Sequence, residues 1–338
     1  MRNTGKLTIA PCHCPADTLV TAQSHLVDRF VADCEIVHLP VKTVVGGTLS
    51  FDLTDTVAHP PEPPRRSLSL LRRPAPQRVE GRVFVDFRLR FPQNWAHFLN
   101  NHLPILFALA EDAGCPPEGM LLVLPGDTPR YIIQAAQFFG LETLCTDAPV
   151  EGRALNFTAD PWTGIRPARA DWAHLPYPQQ VLSQCREADS QGTVLPARAF
   201  LSRRKTRVLE NEPEIESLLA ERGFTRLYPE DLSVADQFRL FEETEEIVAI
   251  HGAALAPLLY RSGQSRLERL IELFPCGHMT DVYRVMSHQV GCRWLGVRGR
   301  IKPEHVAGAY DLEKPFVKYS LQSFAVDPRS LTLALETG

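Results

Sequence analysis

An α/β fold in two domains is predicted by three features of this 338-residue chain. Short apolar runs that read as strands alternate with amphipathic stretches that read as helices, and this recurs in both halves. Such alternation implies parallel sheets with helices packed on their faces. The length suits two domains of ordinary size and is large for one core. A polar stretch from Gln179 to Pro196, a helix followed by Ser190-Gln191-Gly192, separates the halves. The expected domains are therefore residues 1–190 and 191–338.

In the first half, Arg82 to Phe87 reads as a strand. Asn94 to Ala110 reads as a helix whose apolar positions include Trp95, Phe98, Leu99, Leu103, Leu106 and Leu109. Met120 to Leu124 is a short buried strand, and Pro129 to Phe139 a helix opened by proline and stopped by Gly140. Before them, His59 to Arg78 interleaves Pro60, Pro61, Pro63, Pro64, Pro74 and Pro76 with Arg65, Arg66, Arg72, Arg73 and Arg78. Proline at that density excludes a continuous helix or central strand and makes an exposed loop. Its charge also suits anionic lipid or a phosphorylated acceptor, with Leu68, Leu70 and Leu71 as an apolar foothold.

In the second half, the strand Ala199 to Ser202 runs into Arg203-Arg204-Lys205. Asn211 and Glu214 form the pattern of a capping box for a helix that turns Ile215, Leu218 and Leu219 inward and stops at Gly223. Phe224 to Tyr228 is the next strand. Ser233 with Asp236 caps a helix whose inward face is Val234, Phe238 and Phe241. Ile247 to Ile250 is a buried strand ending in His251-Gly252-Ala253-Ala254, and Leu270 to Phe274 is a further strand closed by Pro275.

Composition narrows the function classes. Hydrophobic residues make up 44% and charged residues 22%, which excludes wholesale disorder. A net charge of -4 gives no basis for bulk nucleic-acid binding, although a local basic patch can hold phosphate. The eight cysteines include no C-x-x-C pair, and the cluster Cys12-His13-Cys14 lacks partners at the spacing of a zinc site. No secretory signal and no apolar run long enough for a transmembrane helix is read, so a reducing, cytoplasmic setting is expected, with peripheral contact at the inner face of the membrane through the Pro/Arg loop.

The candidate site lies mostly in the second half. A strand that enters His251-Gly252-Ala253-Ala254 and then an apolar helix puts small residues at a helix N-terminus, where free N–H groups and the helix dipole suit a diphosphate. Gly252 permits close approach of a ligand, and His251 can donate to a phosphate or sugar oxygen. A plain strand-to-helix turn would carry the same four residues. Arg203, Arg204 and Lys205 follow another strand, and ligands of open α/β sheets gather at the carboxyl ends of strands. An arginine there can grip a diphosphate in a fork, whereas a solvated basic turn would look alike. Glu272 sits inside an apolar strand and needs a partner or a ligand, such as the hydroxyls of a ribose. In the first half, Asn94, His97 and Asn101 fall at i, i+3 and i+7 of a helix, on one face. His97 there can serve as a general base, and a capping cluster is the alternative.

Taken in order, these segments resemble glycosyltransferase family 61. The pattern of that family has an N-x-x-H helix ending in Leu-Pro, a Ser-Arg strand end, a capped helix, a Tyr-Pro-Glu segment, a strand ending in His-Gly-Ala and a strand with an embedded glutamate. Here these are Asn94 to Pro104, Leu201 to Arg204, Asn211 to Gly223, Tyr228 to Leu232, Ile250 to Ala253 and Leu270 to Pro275. The resemblance runs from about residue 82 to the end, where Val326-Asp327 and the leucines beyond it look like a closing strand and helix. It implies a GT-B-like architecture, two Rossmann-like domains facing a central cleft, with the donor on the C-terminal one. It implies inverting, metal-independent transfer of a hexosyl or pentosyl group from a nucleotide-sugar, a UDP-sugar in the first place, to a glycan or lipid-linked acceptor in surface polysaccharide biosynthesis. The donor is a co-substrate, so no cofactor and no metal are expected. By position, Arg203, His251, Gly252, Ala253 and Glu272 would hold the donor, and Asn94 and His97 would face the acceptor. Many relatives carry an acidic residue where this chain has Asn101, so the base would be His97, with Asp86 and Asp281 behind it.

Three other readings compete. A nucleotide-sugar-binding or regulatory protein of the same fold would bind donor without turnover, and Asn101 is its support. An epimerase would want a G-x-G-x-x-G fingerprint, and a metal-dependent GT-A transferase a D-x-D motif; the chain has neither.

Overall fold

The structure is a computed structural model that describes residues 2–21, 35–61, 74–160, 170–188, 193–300 and 320–337. Arg65, Arg66, Arg72 and Arg73 of the Pro/Arg segment, with its three leucines, lie outside the described residues. The chain begins with β1 (Thr4–Ile9), β2 (Cys12–Cys14), β3 (Asp17–Thr21), β4 (Glu35–Leu39), β5 (Lys42–Val44), β6 (Gly47–Ala58) and β7 (Gln77–Asp86). Short helix α1 (Trp95–His97), a π-helical turn (Phe98–His102) and α2 (Leu103–Ala113) follow as one rod. Then come β8 (Met120–Leu124), α3 (Arg130–Phe138), β9 (Glu142–Cys145), β10 (Val150–Asp160), α4 (Ala170–Ala173) and α5 (Pro176–Ala188). The remainder is β11 (Arg198–Leu201), α6 (Glu212–Ala220), β12 (Thr225–Leu227), α7 (Val234–Glu243), β13 (Glu246–Ile250), a 3-10 helix (Ala253–Tyr260), β14 (Arg269–Phe274), α8 (Val282–Gln289), β15 (Arg293–Arg298) and α9 (Pro328–Glu336).

Two compact units form: Met1–Cys12 with Val45–Ser190, and His13–Val44 with Gln191–Gly338. The excursion His13–Val44 thus belongs with the C-terminal half, because β3 extends the sheet of that half; no local pattern in the sequence announces such a long-range pairing.

The first unit holds a six-stranded sheet in the order β1-β6-β10-β7-β8-β9. Strands β10, β7, β8 and β9 are parallel, and β6 and β1 join antiparallel at one side. Phe84, Val123, Val150 and Ala154 form a buried cluster on this sheet. The rod Trp95 to Ala113 is almost wholly buried and ends at Gly114, whose left-handed conformation (φ 66°) closes the helix. The sequence pattern gives one regular helix here, whereas the ladder opens into a π turn. Pro104 accounts for it. Proline lacks an N–H and its ring crowds the carbonyl four residues back, so the preceding turn widens and the Leu103 N–H reaches Phe98 O. At the end of β7, the buried Arg88 pairs with Asp86 (2.7 Å) and donates to the carbonyls of Ala148 (2.6 Å) and Ala58 (3.1 Å). Asp86 is thereby committed to tying the strand ends together.

The second unit holds a seven-stranded sheet in the order β12-β11-β13-β14-β15-β3-β4, parallel except for the pair β3–β4. Side chains alternate across it. Phe200, Val248, Ile250, Ile271, Leu273, Leu295 and Val297 pack on one face against Ile215 and Leu219 of α6 and Leu331 and Ala334 of α9. Ser233 caps α7 through the Asp236 N–H (3.0 Å), as its sequence predicts. Asn211 does not cap α6: its side chain donates to Glu214 (2.8 Å) and to Val326 O (2.8 Å) and accepts from Val326 N (3.1 Å). The tail before α9 therefore outcompetes the local capping box. Among the described residues, no helix is long and apolar enough to cross a membrane.

Candidate active site

In the second unit, the first strand of the parallel run, β11, is flanked by the second, β12, on one side and the third, β13, on the other. The chain therefore reverses its direction of winding between β11 and β13. At such a switch point the connections leave in opposite directions and open a crevice beyond the carboxyl ends of the strands. The register Leu201↔Ala249 sets Arg203 and His251 beside one another just past those ends.

His251 is the node of the site. Its carbonyl accepts from Arg203 Nη1 (3.1 Å) and from Arg207 Nη1 (3.1 Å). Its ring nitrogen Nδ1 lies 2.5 Å from Glu272 Oε1, and the other carboxylate oxygen accepts from Trp294 Nε1 (2.8 Å). Glu272 is 0% exposed and His251 6%. The imidazole stacks on Phe274 (5.1 Å, 24°) and meets the rings of His278 (5.4 Å) and Tyr283 (5.8 Å). Glu272 does not reach out for a ribose, as its position in the sequence suggests. Both of its oxygens are engaged inside the protein, and it acts on the site through His251.

Two guanidinium groups converge on one peptide oxygen, and the electrostatics record the cost. Burial lowers the pKa of Arg203. Burial, and then the charge of Arg203, push Arg207 down to about 10. Both remain cationic at neutral pH. His278 is held down to about 4 by burial first, then by His251 and Arg207, so its ring is neutral. The pair of arginines is a positive site whose charges repel, and an anion would relieve that repulsion. Arg203 also donates to Thr206 Oγ1 (3.0 Å), which fixes the plane of the fork.

Gly252 makes this geometry possible. A Cβ at that position would lie 1.7 Å from Arg203 Nη1 and 3.4 Å from Arg207 Nη1. The helix expected after it is 3-10, and Pro257 inside it removes an N–H. Ala253 and Ala254 open this tighter helix and are half-buried. The aligned dipole of an α-helix N-terminus is therefore replaced here by the two guanidinium groups. Arg204, expected to share in the clamp, has its guanidinium on Asp231 (2.6 and 2.5 Å) and over the ring of Tyr228 (3.8 Å). Lys205 is exposed.

In the first unit, Asn94 is the N-cap of α1 and accepts from the N–H groups of Ala96 (3.0 Å) and His97 (3.2 Å). Its side chain is spent on capping, and the π turn changes the angular relation on which the i, i+3, i+7 face depended. His97 and Asn101 do meet: Asn101 Nδ2 lies 3.3 Å from His97 Nδ1. An amide so oriented donates to the Nδ1 lone pair; turned over, it would accept from Nδ1–H and leave the lone pair on Nε2. Burial lowers the pKa of His97, which keeps it neutral and able to accept a proton near pH 7. Asp281, like Asp86, is engaged, in an ion pair with Lys42.

Comparison with known families shows what kind of protein carries this site. The profile described as Glycosyltransferase 61 matches residues 95–266, about half of the chain. The chain belongs to glycosyltransferase family 61. Among curated proteins, no match is found. Membership makes the protein a glycosyltransferase, which uses a sugar donor and a saccharide acceptor. The matched span contains His97, Asn101, Arg203, Arg207 and His251 to Ala254, and leaves Asn94, Glu272 and Trp294 outside it.

Arg207, His278 and Trp294 are absent from the sequence reading. Arg207 had a signal, its spacing of four from Arg203 beyond the strand end. His278, in the segment after β14, and Trp294, on β15, have none. Cys14, by contrast, does approach other ligand-type groups, Asp17 and His288. The oxygen they share, Asp17 Oδ2, accepts from Arg284 Nε (2.6 Å) beside His288 Nε2 (2.7 Å), so a guanidinium fills the place of a cation and a metal ion fits poorly. Burial would raise Asp17, but the hydrogen bonds of His288 and Arg284 outweigh it and hold the carboxyl below its ordinary range.

The close approach at Gly252 yields a first prediction. Gly252→Ala displaces the guanidinium of Arg203 from the His251 carbonyl while leaving the sheet intact. Thermal unfolding should change by only a few degrees, and affinity for inorganic pyrophosphate, read by calorimetry, should fall about tenfold or more. Undiminished affinity would mean that the two arginines do not form the anion site.

Proposed function

We propose that this family 61 enzyme transfers a hexosyl or pentosyl group from a UDP-sugar to a glycan or lipid-linked saccharide, with inversion and without a metal ion, in the synthesis of a surface polysaccharide. The observation that carries the reading is the convergence of Arg203 and Arg207 on the His251 carbonyl at the β11/β13 switch point. Two half-buried guanidinium groups there can neutralise a diphosphate, the task a divalent ion performs in other transferases. The donor role falls to Arg203, Arg207, His251 and Gly252, with Ala253 and Ala254 lining it. Glu272 and Trp294 orient the His251 ring, and Arg204 and Lys205 lie at the margin. The GT-B architecture, and action at the cytoplasmic side of a membrane, follow from the resemblance and belong to the same proposal.

The chemistry is a single displacement. The acceptor oxygen bonds to the anomeric carbon as the bond from that carbon to the phosphate oxygen breaks. The electron pair leaves on the diphosphate, whose growing charge the two arginines stabilise. The acceptor hydroxyl proton goes to His97 at Nε2, with Asn101 turned to accept from Nδ1–H.

Calorimetric titration with UDP in the presence of EDTA tests the donor site. Micromolar binding is expected, weakened a hundredfold or more by Arg203→Ala or Arg207→Ala and only a few-fold by Arg204→Ala. If EDTA abolishes binding, the metal-independent reading is wrong; if UDP does not bind at all, the uridine donor is wrong.

The base has its own test. A His97 with a lowered pKa is neutral, and active, at and above neutrality. Transfer should therefore rise with pH through an inflection below the ordinary histidine value of about 6.5 and level off above it. Asn101→Asp puts a carboxylate against the ring, favours the imidazolium and should move the inflection up by about one unit. An unmoved inflection in that variant would assign the base to another group.

A further inference from the structure

The loop ahead of His97 is built at a cost. Arg90 and Phe91 are consecutive non-glycine residues in left-handed backbone conformations (φ 62° and 58°). Each is disfavoured for an L-residue, and such conformations persist only where the surroundings impose them. The imposition is visible. The buried ring of His102 lies between two carbonyls, Nδ1 2.9 Å from His97 O and Nε2 2.9 Å from Leu89 O, and wedges the loop against the π turn; a neutral imidazole has one N–H and donates to one of the two. Asn94 N donates to Phe91 O (3.1 Å), and Tyr131 Oη to Gln93 O (2.7 Å).

What this framework holds out is an aromatic ring. Phe91 is 75% exposed, against a general tendency of phenylalanine to be buried, and Leu89 beside it is 52% exposed. The ring of Phe91 lies 6.5 Å from that of His97, tilted by 56°. Close by in sequence, Trp95 is only 9% exposed, yet its indole N–H has no acceptor among the described residues. A strained backbone that presents an apolar ring to solvent next to a neutral histidine has the form of a binding platform. A glycosyltransferase must bring an acceptor sugar to its base, and the face of a sugar ring rich in axial C–H groups is the natural partner of an exposed aromatic face.

We propose that Phe91 is the stacking platform of the acceptor subsite, and that its occupant is a ring of a saccharide acceptor whose hydroxyl is thereby set before His97. The inference rests on the reading of His97 as the group that faces the acceptor. The strain at Arg90 and Phe91 then has a purpose: it keeps the ring from folding back onto the protein. Leu89 extends the apolar surface, and the hydroxyls of the sugar stay in water.

The test uses saturation-transfer NMR on the full chain with neutral tetrasaccharides of glucose, xylose, mannose and N-acetylglucosamine, and UDP binding in the same samples. At least one tetrasaccharide should bind, with transfer concentrated on the C–H protons of one ring face. Phe91→Ala should weaken that binding about tenfold or more, Phe91→Trp should retain it, and neither should change UDP affinity. Phe91→Gly, which accepts the left-handed backbone without strain, should lose saccharide binding while its melting temperature equals or exceeds that of the wild type. Tetrasaccharide binding unchanged in Phe91→Ala, no binding of any tetrasaccharide to the wild type, or a marked fall in the stability of Phe91→Gly would each overturn the platform. Loss of UDP binding alone would strike the donor reading and leave the platform standing.

Discussion

The arrangement of the second unit turns on one peptide oxygen. His251 O accepts from two guanidinium groups that would otherwise repel each other, while the ring of the same residue is seated on a fully buried carboxylate. Each part constrains the next. Trp294 fixes Glu272, Glu272 fixes the ring, the ring stacks on Phe274, and the carbonyl then stands where Arg203 and Arg207 can reach it. Gly252 has no Cβ because the space is taken by Arg203. The parallel sheet supplies the frame, since adjacent strands bring residues distant in sequence into one row at the carboxyl edge.

The elements that were legible in the sequence are those specified by local periodicity. Strands β8, β13 and β14 and helices α3 and α7 follow from apolar spacing and from proline, glycine and serine at their ends. The candidate site was legible where it lies at a strand end, as with the placement of Arg203, His251 and Gly252. Its interior was not. That Glu272 serves His251 depends on the register Ala249↔Glu272, and Trp294 enters from a third strand. Arg204 has the same charge as Arg207 and a more prominent place in the sequence, yet Asp231 and Tyr228 hold its guanidinium. A run of basic residues does not say which of them turns toward a ligand.

In the first unit the helical repeat misled in a specific way. A 3.6-residue pattern puts Asn94, His97 and Asn101 on one face, but the cap uses Asn94, and the π turn ahead of Pro104 alters the geometry beyond it. His97 and Asn101 still meet because four residues separate them. The strained loop at Arg90 and Phe91 has no signature in composition, since neither residue type favours a left-handed backbone. Departures from local preference in this unit gather around His97, as the proposal that this residue faces the acceptor would lead one to expect.

The central claim is that Arg203, Arg207 and His251 together form the diphosphate cradle. A crystal structure with UDP bound in EDTA-containing buffer tests it most directly. The account predicts phosphate oxygens within about 3 Å of both guanidinium groups, above the carboxyl ends of β11 and β13, with Glu272 still hydrogen-bonded to His251. A diphosphate found elsewhere in the chain, or held through a metal ion with the two arginines unengaged, would contradict it.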